Sequence, residues 1–354
     1  MKARPVFLKL SLAVFIVLLP FLAYQVWDVV EAARLRSRVE RLKASGAPIV
    51  LAAPALGGAE LAARYYQAAA ALTANDSYTA LSIEERNRVL EAVRNGVSWP
   101  PDVLRIAKLR VEQNREALEF VDRAAPLPFQ GVRPGTTYDL MTMQFVQLAQ
   151  ACAFRAAVLA SEGRDDAVAD SLYSEVRLMR AVDSGSSIAA WTTALPWLNN
   201  VAGILGRAKP SRGAVDRVSA ALEALDRDDR MKDAFIRLRA SMLSQLVMAR
   251  PPSLQPGAFV THLTVRSLDA FDRIIAAANQ PWTTRVSAIN AVGIWPQPDV
   301  FSLGSAGSKR LVDYTRAVAH VVQRIRCARL SLEPQLGLID PFTGARLEAS
   351  SCHI

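Results

Sequence analysis

Histidine, the side chain most often used for metal binding and for acid–base catalysis near neutral pH, occurs only three times in the 354 residues. The three are His262, His320 and His353. Their wide spacing excludes an H-E-x-x-H motif, in which two histidines one helical turn apart bind zinc. A metal centre or a catalytic triad based on histidine therefore has little support. We expect His320, between Ala319 and Val321, to be a core or boundary residue of a helix.

Carboxylates offer a second route to catalysis. Adjacent acidic pairs occur at Glu84–Glu85, Asp165–Asp166 and Asp228–Asp229. Neighbouring side chains point to different sides of a helix, so no pair presents two carboxylates to one bond, as a glycosidase requires. Carboxylates distant in sequence stay open as an alternative, and the candidates are Glu112, Glu116 and Asp139.

Phosphate and nucleic-acid binding lack their usual signals. The loop from Gly304 to Lys309 has the wrong glycine spacing for a P-loop, and no predicted strand precedes it. The net charge of +9 is not concentrated in any block of five like charges and is not interleaved with stacking aromatic residues. We therefore predict no nucleic-acid partner and no cofactor, and we assign no catalytic, cofactor-binding or metal-binding residue.

The cysteines, Cys152, Cys327 and Cys352, form no C-x-x-C motif and no disulfide framework. Cys152 lies in an apolar helical stretch, where a free thiol behaves as a small hydrophobic residue. A disulfide bond between Cys327 and Cys352 stays an alternative only if this part of the chain is exported.

The N-terminus has the pattern of a membrane anchor. We interpret residues 1–5 as a short basic tail and residues 6–27 as a transmembrane helix, because the 18 residues from Leu10 to Trp27 carry no charge. An 18-residue run is longer than the core of a usual signal peptide, and Tyr24 and Trp27 lie where an interfacial aromatic belt would form. Residues 28–46 are predicted to continue the transmembrane helix as a charged juxtamembrane helix that ends at Gly46.

The orientation of this anchor has two opposing indicators. Three basic residues precede the span and five follow it, a count that slightly favours the body inside; the five are Arg34, Arg36, Arg38, Arg41 and Lys43. A short tail before a first hydrophobic segment usually stays in the cytoplasm, which would export the body. We expect the second arrangement, a single-pass protein of a bacterial inner membrane with a periplasmic body.

Residues 47–354 are predicted to form an all-α body, an irregular array of antiparallel helical hairpins without strand patterns. Prolines and glycines at 125–135 mark a possible sub-boundary. The hairpin at 140–182 resembles one tetratricopeptide repeat. Gly163 suits the tight turn, and Ala167 is small enough to let the two helices approach closely. Tyr173 and Val176 would fill the gap between the helices. No second copy follows at a period of 34 residues.

An uncharged stretch from Ser184 to Gly206 is predicted to be a buried helix, because its threonines and asparagines are costly in lipid. Its aromatic residues suggest another alternative function. A carrier of an apolar ligand would have a pocket lined by Trp191, Trp197 and Phe145.

The C-terminal segment Asp340-Pro-Phe-Thr-Gly344, followed by Leu347, resembles the D-P-F-[ST]-G-x-x-L ending of a broad group of uncharacterised bacterial single-pass membrane proteins. Those proteins are also similar in an Ala-Ala-x-Tyr-Tyr segment, here residues 62–66, and in a G-R-x-x-A hairpin, here residues 163–167. This chain lacks their Gly-x-Tyr-Pro segment before the D-P-F motif. The resemblance implies a single N-terminal span and a helical body, and it supplies no catalytic residue.

Physically, the D-P-F-T-G segment has the composition of a turn. Pro341 fixes its own φ, Asp340 is able to accept from following backbone N–H groups, and Gly344 permits a positive φ. We expect Phe342 to hold the tail against the helical body. Together these features favour a non-enzymatic, membrane-anchored envelope protein, a helical scaffold or adaptor that binds another protein, with the bilayer as its partner through residues 6–27.

Overall fold

The computed structural model describes residues 4–49, 59–73, 84–85, 88–89, 91–92, 99–128, 138–185, 204–205, 207–226, 229–248, 257–292, 306–348, 350 and 352. In these ranges the regular elements are helices, which confirms the predicted all-α class, and the β-structure is one isolated bridge between Ile339 and Arg346. The helices are α1 (Arg4–Ala44), α2 (Ala59–Leu72), α3 (Pro101–Gln113), α4 (Arg115–Ala124), α5 (Tyr138–Ser161), α6 (Asp165–Gly185), α7 (Arg212–Leu225), α8 (Arg230–Met248), α9 (Ala258–Ala278), α10 (Trp282–Ala291) and α11 (Ala306–Leu332).

The chain forms two compact units, each made of two separate parts of the sequence. The first unit comprises Met1–Ala52 and Met231–Asp313, and the second comprises Ala53–Arg230 and Tyr314–Ile354. This division differs from the one body at 47–354 that we expected. The possible sub-boundary at 125–135 lies within the second unit, and its residues from 129 onward are outside the described part of the chain.

In the first unit, α1 packs along α9 in the same chain direction. Near one end, the Tyr24 hydroxyl lies against Gly257. A Cβ added to Gly257 would be only 2.5 Å from the hydroxyl oxygen. Further along, Arg38 bonds to Asp272 and lies 3.0 Å from Asp269. Because Arg239 of α8 bonds the same Asp272 at 2.7 Å, charged groups join three helices here. An apolar cluster around Leu42, Met242, Leu243, Leu268 and Phe271 fills the space beside them.

The predicted charged juxtamembrane helix is part of α1, which is continuous from Arg4 to Ala44. Gly46 has a φ of +70°, and Ala47 N–H donates to the Leu42 carbonyl, an ordinary glycine-based helix end. In the part of the chain that the structure describes, no helix is both long enough and apolar enough to cross a bilayer. The transmembrane helix at residues 6–27 is therefore not confirmed and stays a prediction; the side chains of residues 6–17 lie outside the described part.

The second unit has one large apolar core, to which α2–α7 and the second half of α11 contribute. Tyr66, Leu118, Leu148, Leu172 and Leu222 are among its fully buried residues. Asn114 separates α3 from α4. It is buried, and its amide donates to the Arg110 carbonyl at 2.9 Å, which satisfies the polar group inside the core.

The C-terminal tail folds back on α11. Asp340 Oδ1 accepts from the N–H groups of Phe342 and Thr343 at 2.7 and 3.0 Å, and Gly344 has a φ of +71°, so the predicted turn is confirmed. Phe342 is not the residue that holds the tail, because it remains 37% exposed against the exposed His320 ring. His320 thus lies on the surface, not in the core.

Three other contacts attach the tail. Leu347 is buried beside Leu330, and the Gln323 amide donates to Asp340 Oδ2 at 2.9 Å. Cys327 of α11 and Cys352 form a disulfide bond, with Cα atoms 5.5 Å apart. The bridge that the sequence left open is therefore present in the structure.

Candidate functional site

The second unit contains an open cleft of about 650 Å³, formed by the end of α4, the residues that follow it, and α5, α6 and α7. Its volume is within the range of ligand-binding pockets in general. The cleft lies along the hairpin of α5 and α6, the segment that the sequence singled out as repeat-like. Its polar and apolar side chains divide into a fixed base, a wall and a rim.

The hairpin turn determines where α6 begins relative to the cleft. Gly163 has a φ of +68°, which side chains with a Cβ rarely adopt. Its N–H donates to the Ala160 carbonyl at 3.2 Å, and the Arg164 N–H donates to the Leu159 carbonyl at 3.0 Å. The predicted turn at Gly163 is confirmed. Val176 is buried between helices as expected, whereas Ala167 and Tyr173 line the cleft.

The base of the cleft is a charged pair whose geometry is fixed by hydrogen bonds. Arg155 donates from both terminal nitrogens to the two oxygens of Asp122, each at 2.7 Å, and from Nε to the Ser171 hydroxyl at 3.0 Å. Ser174 donates to Asp122 at 2.9 Å. Burial opposes the charged form of Arg155, but the bond to Asp122 and the negative charges around it together outweigh burial and raise the pKa of Arg155. Arg155 is thus held charged and in place.

The wall of the cleft is the chain just after α4. The Ala125 carbonyl accepts from the Tyr173 hydroxyl at 3.2 Å and from Arg177 Nε at 2.8 Å. A second nitrogen of Arg177 donates to the Leu127 carbonyl at 2.6 Å. These bonds hold Ala125 and Pro126 as an apolar surface facing the charged base.

The rim carries exposed charges. Arg217 of α7 lies 2.6 Å from Asp170 of α6, and both side chains are more than half exposed. Arg164, at the hairpin turn, also lines the cleft and is exposed. Exposed pairs such as Arg217–Asp170 contribute little to stability.

The most desolvated carboxyl of the described structure is elsewhere. Glu175 of α6 is completely buried, and neither of its oxygens has a hydrogen-bond partner. Burial raises the pKa of Glu175 well above its usual value, and burial likewise raises the pKa of the nearby Cys152 thiol. Glu175 does not line the cleft, so the cleft does not combine space for a substrate with a carboxyl poised for proton transfer.

The described carboxylates proposed for an enzyme, Glu112 and Glu116, do not line the cleft. Both are exposed, and Glu112, near the end of α3, lies 3.7 Å from Arg115, the first residue of α4. The side chain of Asp139 lies outside the described part. Of the carrier residues, Phe145 is buried in the core, and Trp191 and Trp197 are also outside the described part.

Sequence reasoning missed the residues of the cleft, apart from the hairpin turn, Ala167 and Tyr173. Arg155 and Asp122 belong to different helices and are 33 positions apart, so no local spacing signals their pairing. Among the described residues, no group of three histidine, cysteine or acidic side chains is arranged to hold a metal ion. Comparisons of the chain with protein-family models, with curated proteins and with solved structures find no match.

Proposed function

We propose that this chain is a membrane-anchored, non-enzymatic adaptor of the bacterial envelope, which holds a partner protein in the cleft between α4 and the α5–α6 hairpin. The observation that carries the proposal is the fixed geometry of the cleft. Preorganised binding groups reduce the entropy lost on association. Arg155, Asp122, Ser171 and Ser174 are already bonded to one another, so the cleft has its binding shape before a partner arrives.

The anchor is supported by the composition and setting of α1. Its 18 residues from Leu10 to Trp27 carry no charge and would cover about 27 Å as a helix, close to the thickness of a bilayer core. Leu18, Leu19, Phe21 and Leu22 are each about half exposed or more. Tyr24 touches Gly257 just before α9 begins, which would put the start of the folded first unit level with the membrane surface.

The export of the body is supported by the disulfide. Structural disulfides form and persist in oxidising compartments and are rare in the cytosol. The bond between Cys327 and Cys352 therefore favours a periplasmic second unit and a cytoplasmic N-terminal tail. This agrees with the short tail and outweighs the small excess of basic residues after the span.

The alternatives have weaker support. An enzyme would need a desolvated acid or base in a pocket, and the acids that line the cleft, Asp122 and Asp170, have side chains 46% and 63% exposed. A carrier of an apolar ligand would need an apolar cavity. Charged residues from four helices line the cleft instead: Asp122, Arg155, Asp170 and Arg217.

Site-specific photo-crosslinking tests the adaptor function. We expect a benzophenone amino acid at Ala167, inside the cleft, to form a covalent adduct with one protein partner when the full-length chain is made in its own cells. The same probe at Gln67, an exposed helical residue of the second unit outside the cleft, is the matched control. Adding Asp170→Trp at the exposed rim should suppress the Ala167 adduct by filling the entrance.

The proposal requires that the probe at Ala167 crosslinks to one identifiable protein and that the probe at Gln67 does not. Equal labelling from both positions, or none from Ala167, would show that the cleft does not hold a partner.

A further inference from the structure

We propose that the cleft recognises an extended peptide segment of its partner that carries a single carboxylate side chain, with Arg164 as the cation that binds it. This inference rests on the proposed adaptor function and adds the chemical class of the ligand. It is argued from the charges that line the cleft, from which of them are already paired, and from the apolar wall opposite.

The charges of the cleft do not balance. Three arginines line it, Arg155, Arg164 and Arg217, against two acids, Asp122 and Asp170. Arg155 uses both terminal nitrogens on Asp122, and Arg217 lies against Asp170. One positive charge, that of Arg164, is therefore left over at the cleft surface.

Arg164 is suited to bind a ligand because its backbone is fixed while its side chain is exposed. Its N–H donates to the Leu159 carbonyl and its carbonyl accepts from Val168 N–H, both at 3.0 Å, so it is part of the hairpin turn and of the first turn of α6. Within the described residues its guanidinium makes no ion pair. A planar guanidinium matches a carboxylate with two parallel hydrogen bonds, the strongest common pairing of these groups.

The neighbouring acids limit how much negative charge the ligand carries. Asp122 and Asp170 already offset the charges of Arg155 and Arg217, so the cleft has no second positive charge for another carboxylate of the ligand. A polyacidic segment is thereby disfavoured, while one carboxylate near Arg164 is favoured. This distinguishes the cleft from a general binding surface for anions.

The wall explains why the carboxylate belongs to a peptide. Ala125 and Pro126, together with Leu159 and Tyr173, give an apolar surface that small or aliphatic side chains cover, while Ser171 and Ser174 lie near the base. A peptide supplies both parts at once, with apolar side chains for the wall and one acidic side chain for the rim. A free inorganic anion would leave the wall exposed to water.

Selection from a phage-displayed library of random 12-residue peptides tests this, with the full-length protein held in lipid nanodiscs. We expect the enriched peptides to share one Asp or Glu beside apolar residues. The most enriched peptide and its Asn or Gln counterpart are then synthesised, and their binding is measured by fluorescence polarisation. Loss of the carboxylate, or Arg164→Ala, should weaken binding about tenfold or more, as expected for a charged hydrogen bond.

Arg105→Ala, which removes an exposed arginine outside the cleft, is the matched control and should leave the affinity within twofold. Arg164→Glu should also restore binding to a peptide whose acid is replaced by lysine. Enriched peptides without an acid, binding Arg164→Ala as well as the parent, would overturn the carboxylate assignment and leave the adaptor function standing. If no peptide is enriched although the Ala167 adduct forms, the peptide class is wrong. Absence of both results contradicts both proposals.

Discussion

Replacing Cys352 with serine is expected to lower the free energy of unfolding of the second unit by about 3.5 kcal/mol, the loop-entropy value for a bridge that joins residues 25 apart. Cys327 is on α11, which also contributes Val321 and Ile325 to the main core. Release of the tail would expose Leu347 and remove the support that Gln323 gives to the turn at Asp340. The loss is measured by guanidinium denaturation followed by circular dichroism.

Reduction supplies the control for this variant. The wild-type chain in excess reductant should unfold at the same denaturant concentration as Cys352→Ser, and reductant should not change the variant. Cys152 is buried and unpaired, so it does not contribute to this difference. Identical unfolding of the wild-type chain with and without reductant would contradict a stabilising disulfide.

Replacing Glu175 with glutamine is expected to stabilise the second unit, and increasingly so as the pH rises. The folded state keeps the Glu175 proton because burial raises its pKa, whereas the unfolded chain releases it near pH 4.5. The wild-type chain therefore loses stability as the pH rises above that value, by up to about 1.4 kcal/mol per unit. Between pH 5 and pH 7 the advantage of Glu175→Gln should therefore grow steadily.

Two further variants make this prediction specific. Glu175→Leu also removes the unpartnered polar atoms, so it should be at least as stable as Glu175→Gln in urea denaturation at both pH values. Glu116→Gln, at an exposed position, should change stability by less than about 0.5 kcal/mol. A destabilised Glu175→Leu, or a pH-independent effect of Glu175→Gln, would mean that the carboxylate is paired in solution.

Local features of the fold were predictable because a few neighbouring residues determine them. Gly163 and Gly344 both have the positive φ that their turns require, and Asp340 accepts from the N–H groups that follow it. The all-α class follows in the same way from helical periodicity and caps.

The features that could not be predicted depend on contacts between distant segments. Arg38 meets Asp269 and Asp272 across more than 230 residues, so one sequence gives no sign that α1 and α9 belong to one unit. The cleft likewise combines residues of several helices, such as Asp122 with Arg155. Glu175 looks like an ordinary surface residue of a charged helix, yet packing buries it completely.

We infer that the helical body folds on the oxidising side of a membrane. Counting free thiols in cells is the most direct test of this location. Cells are quenched in acid, the protein is denatured, and free thiols are labelled with a maleimide polymer that shifts the band on a gel once per cysteine. We expect one shift, from Cys152, before reduction and three shifts after it. Three shifts before reduction would place the body in a reducing compartment and rule out a periplasmic body.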